Sequence, residues 1–128
     1  MKRASEENVY NDACLFCRIV AGEEPAVWVA QAELVVAFRD KFPRAPVHVL
    51  VVTRDHVPSV HELSPEHDPL LGEAFALARQ IADSEGIAEG YRIATNVGQR
   101  GGQAIPHLHL HVLGGRQLLH IDSGDPPA

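Results

Sequence analysis

The sequence has no apolar run approaching the ~20 residues that a membrane-crossing helix needs, so no membrane span is expected. It has no excess of basic residues either: 11 Lys and Arg stand against 17 Asp and Glu, for a net charge of −6 with histidine neutral. Broad binding to nucleic-acid backbone needs clustered cations and is not expected. A mononucleotide stays open, because a few local donors suffice for one phosphate. Cysteine is scarce. Only Cys14 and Cys17 are present, spaced C-x-x-C, which argues against a disulfide scaffold and leaves a metal site or a redox pair. No internal repeat, low-complexity block or linker divides the 128 residues, a length that suits one domain. The opening MKRASEENVYND lacks an apolar stretch and reads as a polar tail rather than a signal peptide, as does the closing DSGDPPA. Residues 1–12 and 122–128 are therefore expected to be flexible, and the protein to be cytoplasmic.

Against these absences stands one enrichment. Histidine occurs eight times, and three of the eight fall within five positions, at His107, His109 and His111.

Along the chain, apolar residues at 15, 16, 19 and 20 suit a short helix ended by Gly22. β-branched and apolar runs at 27–31 and 34–39 suit a hairpin, and 47–53 (VHVLVVT) suits a buried strand. The clearest helix is expected over 65–84, with Ser64 as N-cap and Pro65 at the first position. Its apolar face would carry Leu70, Leu71, Ala74, Phe75, Leu77, Ala78, Ile81 and Ala82, leaving Glu73, Arg79, Gln80 and Asp83 outside. Strands at 91–96 and 107–113 would flank a glycine-rich loop, VGQRGGQ. Consecutive strands joined by short turns pair antiparallel. The expected class is α+β, with about five antiparallel strands, one long helix and one short one.

IPHLHLHVLGG alternates strictly. On a strand, His107, His109 and His111 share one face at ~6.6 Å intervals, while Leu108, Leu110 and Val112 point into the core. A solvated face would ordinarily carry Ser, Thr, Lys or Glu, so three imidazoles point to chemistry. Neutral imidazoles could chelate a metal, as in a metal carrier. Alternatively, one histidine attacks phosphorus while its neighbours stabilise charge and protonate a leaving group. The preceding loop, with Asn96, Gly98, Gly101, Gly102 and Gln103, favours the second chemistry, because glycines let backbone N–H groups approach an anion.

The stretch HLHLHVLGGR resembles the signature of the histidine triad family, and VLGGRQ resembles its branch of nucleoside phosphoramidate hydrolases and nucleotide-binding proteins. The similarity extends to LFCRIVAGEEPA, to VVAFRDKFPRAPVHVLVVTRDH and to NVGQRGGQ. It implies that His109 is a nucleophile attacking the α-phosphorus and carrying the nucleotide covalently. His111 would contact phosphate and leaving group, with His48 and His107 as supporting imidazoles. Asp40, with Lys41 beside it, matches a ribose-binding position. Asn96, Gly102, Gln103 and Ala104 match positions near the phosphate or leaving group, and Phe16, Ile19, Phe38 and Leu50 match positions around the base. By the same resemblance Cys14, Cys17, His56 and His107 would hold a structural zinc, catalysis would need no cofactor, and two copies would join their sheets in a homodimer.

The implied reaction releases a nucleoside monophosphate from purine nucleoside phosphoramidates or related 5′-phosphate esters. The rival expectations are dinucleoside polyphosphate hydrolysis and a nucleotide-binding regulatory module with little turnover. Two departures stand out. Ala104 lies where many members have serine, and the tail beyond Arg116 lacks a tryptophan that some relatives present across a dimer contact.

Overall fold

A computed structural model describes residues 9–121. The elements run α1 (Leu15–Val20), β1 (Trp28–Gln31), β2 (Val35–Arg39), β3 (Val47–Thr53), α2 (Asp68–Ser84), β4 (Tyr91–Ala94) and β5 (His109–Gly114). The strands form one antiparallel sheet in the order β1-β2-β3-β5-β4, as the short connections imply. A homodimer that joins two sheets needs an open edge, and this sheet ends in two, β1 and β4.

Strand alternation divides the core into two layers. On one face Val35, Ala37, Val49, Val51, Leu108, Leu110 and Val112 pack under α2 through Leu70, Ala74, Leu77, Ala78, Ile81 and Ala82. On the other, Val36, Phe38, Leu50 and Val52 pack under α1 through Cys14, Phe16, Cys17 and Ile19. With only six residues, α1 leaves much of that second face for other work.

Several boundaries differ from expectation for identifiable reasons. The long helix starts at Asp68, after a 3₁₀ turn over Pro65–His67 capped by Ser64. Pro69 has no N–H to give the Pro65 carbonyl, so the Asp68 N–H takes it three residues on. On α2, Phe75 is 43% exposed rather than buried. Glu73, expected outside, is half-buried and accepts the backbone N–H groups of Leu34 and Val35, the latter at 3.1 Å. β4 stops at Ala94 because the Thr95 hydroxyl donates to the His109 carbonyl at 2.8 Å. β5 begins at His109 rather than His107. The amides of His107 and Leu108 donate instead to Ile105 (2.8 Å) and Val57 (2.7 Å).

Residues 9–12, expected within a flexible tail, are tied down. The His56 N–H donates to the Val9 carbonyl at 2.8 Å, and the Arg18 guanidinium donates to the Asp12 carbonyl at 2.8 Å. The rest of the expected tails, 1–8 and 122–128, lies outside the described residues. His67 closes a capping box at the 3₁₀ turn before α2, its Nδ1 accepting the Ser64 N–H at 3.0 Å.

The end of β5 requires two glycines. A Cβ on Gly114 would stand 2.8 Å from Ile87 Cδ1, and one on Gly115, at φ +96°, would stand 2.9 Å from Pro46 Cβ. Gly115→Ala should therefore lower unfolding free energy by about 1–3 kcal/mol in a urea titration. Gly72→Ala, on open helix surface, should raise it by about 0.5–1 kcal/mol.

Candidate active site

The face under α1 carries His109 and His111 on β5, beside Val52 and Leu50 of β3, with His48 two residues back on β3. The rings of His109 and His111 meet edge to face, 5.0 Å between centroids. Backbone groups fix where their protons sit. A carbonyl oxygen can only accept, so His109 Nδ1, 2.6 Å from the His107 carbonyl, carries the hydrogen. In the neutral ring Nε2 is then left with a lone pair. The Arg44 N–H donates to His48 Nδ1 at 3.0 Å, which places the His48 proton on Nε2. That Nε2–H lies 2.9 Å from His111 Nδ1 and 3.3 Å from Asp40 Oδ2. His111 Nδ1 must accept, so its own proton sits on Nε2. The result is an unprotonated nitrogen on His109 beside an N–H on His111.

Burial keeps these rings neutral. It holds His109 below the ordinary imidazole value, and it holds His111, next to two further imidazoles, down to about 4. His48 is also lowered, chiefly by burial and against the pull of Asp40. Neutral imidazole is the nucleophilic form, so a depressed value keeps it available across the physiological range.

Around this core, Asp40 is held in a turn, its Oδ1 accepting the Phe42 N–H at 2.8 Å while Oδ2 faces His48. Lys41 is exposed, with its ammonium over the Phe42 ring. The glycine-rich loop follows β4. Asn96 Nδ2 donates to the Gly102 carbonyl at 3.4 Å, and Gly98 and Gly102 both have positive φ. The Gln103 amide is engaged by the backbone, donating to Pro58 (2.7 Å) and Ile105 (3.0 Å) and accepting from the Gly98 N–H (2.9 Å). Gln103 thus braces the loop. Ala104 is exposed beside it. Phe16, Ile19, Phe38 and Leu50 are all buried, and Phe16 stands edge-on to His109 at 5.1 Å.

Cys14, Cys17, His56 and His107 converge on one point, with every pair of donor atoms within 4.8 Å. His107 Nδ1 lies 3.3 Å from Cys14 Sγ and 3.6 Å from Cys17 Sγ, and His56 Nδ1 lies 3.3 Å from Cys17 Sγ. A tetrahedral ion with ~2.3 Å bonds to sulfur and ~2.0 Å bonds to nitrogen spaces such ligands ~3.5 Å apart. The tautomer is also right, because His107 Nε2–H donates to the Thr53 carbonyl at 2.7 Å and frees Nδ1. Asn11 N–H and Cys17 N–H donate to the sulfurs of Cys17 and Cys14, each at 3.4 Å. Burial pushes the Cys17 thiol up to about 11, and a bound cation reverses that by deprotonating the thiol. The four side chains could hold a metal ion.

Residues 21–118 match the HIT domain. The chain belongs to the HIT family. A purine nucleoside phosphoramidase of Escherichia coli K12 is 45% identical over 105 residues, 81% of this chain and 88% of the relative. A HIT family hydrolase from Legionella pneumophila aligns with TM-score 0.82 at 40% identity, over 84% of this chain and 97% of that one. A histidine triad protein from Clostridium difficile aligns with TM-score 0.84 at 34% identity, over 88% and 98%.

Within this HIT domain the sequence reasoning missed the groups that set the tautomers, namely the carbonyls of Thr53 and His107 and the amide of Arg44. Backbone groups leave no side-chain signal. One trace was available in VLGGRQ: Arg116 of that motif donates to the Arg44 carbonyl at 2.7 Å and holds the turn that presents the Arg44 amide.

Proposed function

We propose that this HIT protein hydrolyses purine nucleoside phosphoramidates and related nucleoside 5′-phosphate esters through a covalent nucleotidyl group on His109. What carries the reading is the pairing of tautomers, a lone pair on His109 Nε2 beside an N–H on His111 Nε2. In the first step His109 Nε2 attacks phosphorus, the bond to the leaving amine breaks, and His111 Nε2–H protonates the amine. The Nδ1–H of His109 donates to a carbonyl throughout, which stabilises the positive charge the ring gains. His48 Nε2–H donates to His111 Nδ1 and also faces the Asp40 carboxylate, an arrangement that holds the His111 Nε2–H toward the leaving group. Water makes good the proton passed to the amine and is left as hydroxide. In the second step that hydroxide attacks phosphorus, the bond to His109 breaks and leaves the ring neutral again, and nucleoside monophosphate departs. No cofactor takes part in these steps. The name of the Escherichia coli relative supports purine phosphoramidates as the substrate class.

The Cys14, Cys17, His56 and His107 site is read as structural zinc. Two thiolates with two imidazoles form a closed tetrahedral set, and the site ties α1 to the residue preceding β5. In solution two copies pair their sheets.

His109→Ala should fold and still bind AMP, but release AMP from adenosine phosphoramidate at least about 10³-fold more slowly in a coupled assay. An unchanged rate would end the covalent reading. AMP binding with negligible wild-type turnover would favour the regulatory reading. Changing Cys14 and Cys17 together to serine should abolish stoichiometric zinc in elemental analysis. It should also lower the thermal midpoint by more than about 5 °C, because each kcal/mol lost shifts a chain this size by roughly 3–6 °C.

A further inference from the structure

The sequence contains a single tryptophan, Trp28, which the chemistry above leaves unused. It lies on the edge strand β1, opposite Phe38, and 39% of it is exposed. Its position depends on an irregularity. Trp28 pairs with Phe38 and Ala30 with Ala37, so β1 carries one residue more than β2 across that step. In an even ladder, Trp28 and Ala30 would share a face. The bulge instead sends Ala30 to the layer under α2 and Trp28 to the face of the histidines.

On that face the pairings run Trp28, Phe38, Leu50, His111 from strand to strand. Ring contacts run parallel to them: His109 to Phe16 at 5.1 Å, Phe16 to Phe38 at 5.5 Å and Phe38 to Trp28 at 5.9 Å, all edge to face. Phe16 and Phe38 are at most 5% exposed and have no free face to offer a ligand. Of these three side chains Trp28 alone has one. Three interstrand steps of about 4.8 Å put its backbone ~14 Å from that of His111. A phosphate, a furanose and a bicyclic base laid end to end cover that distance less the reach of two side chains, and Asp40 follows Phe38 along the way.

We propose that Trp28 is the base-contacting residue, stacking its indole on the purine of a nucleotide whose phosphate lies at His109 and His111. This rests on the nucleotide reading above and deepens it. The buried aromatics serve as the floor that orients the indole, and the large, polarisable face of Trp28 favours a bicyclic base over a monocyclic one.

The product AMP permits a test without turnover. As the sole tryptophan, Trp28 should show saturable fluorescence quenching with AMP and none with ribose 5-phosphate. By calorimetry Trp28→Ala should bind AMP about tenfold more weakly, the lower end for loss of a stacked base, and lose its preference for AMP over CMP. Its affinity for ribose 5-phosphate should not change. Trp28→Phe, which keeps a ring against Phe38, should recover most of the AMP affinity. Wild-type AMP affinity in Trp28→Ala, or an equal loss for ribose 5-phosphate, would overturn the assignment of Trp28 and leave the phosphoryl chemistry standing. Failure of the wild-type protein to bind AMP at all would overturn both.

Discussion

A carbonyl oxygen can accept a hydrogen bond and never donate one, and the site depends on that asymmetry. Thr53 and His107 each aim a carbonyl at an imidazole nitrogen, at 2.7 Å and 2.6 Å. The first forces the His107 proton onto Nε2 and frees Nδ1 for the cysteine side. The second forces the His109 proton onto Nδ1 and frees Nε2 for the substrate side. The Arg44 amide imposes the complementary choice on His48. Burial supports these choices by keeping the rings neutral, since a protonated ring would have no lone pair to direct.

The three triad histidines are thus unequal. His107 is completely buried, faces two sulfurs, and meets His109 through its backbone carbonyl. In the proposed reaction His109 and His111 divide attack and proton transfer between them. His48 belongs with them more closely than His107 does, though it lies on another strand. The surrounding loops fix backbone groups in place: Arg116 holds the Arg44 turn, Gln103 braces the glycine loop, and Gly115 lets the chain pass Pro46.

Much of this could be read from the sequence. Strict alternation in HLHLH put His109 and His111 on one face and Leu108, Leu110 and Val112 in the core, because strand period is a local property. The C-x-x-C pair suggested a metal site, but its partners His56 and His107 came from the family resemblance, because both lie far from the pair in sequence. What escaped came from contacts distant in sequence. Glu73 fitted the polar stripe of its helix, yet the amides of a hairpin 38 and 39 residues away draw it inward. The bulge beside Trp28 has no marker residue, so periodicity alone left the indole without a role. Pro69 was a readable signal for the helix start, and Pro65 masked it.

The tautomers can be observed directly. Long-range ¹⁵N–¹H correlation of the histidine rings in labelled, unliganded protein at neutral pH distinguishes Nδ1–H from Nε2–H. The account predicts His109 protonated on Nδ1, with His48 and His111 protonated on Nε2. A His109 ring protonated on Nε2 would have no lone pair facing phosphorus and would contradict it.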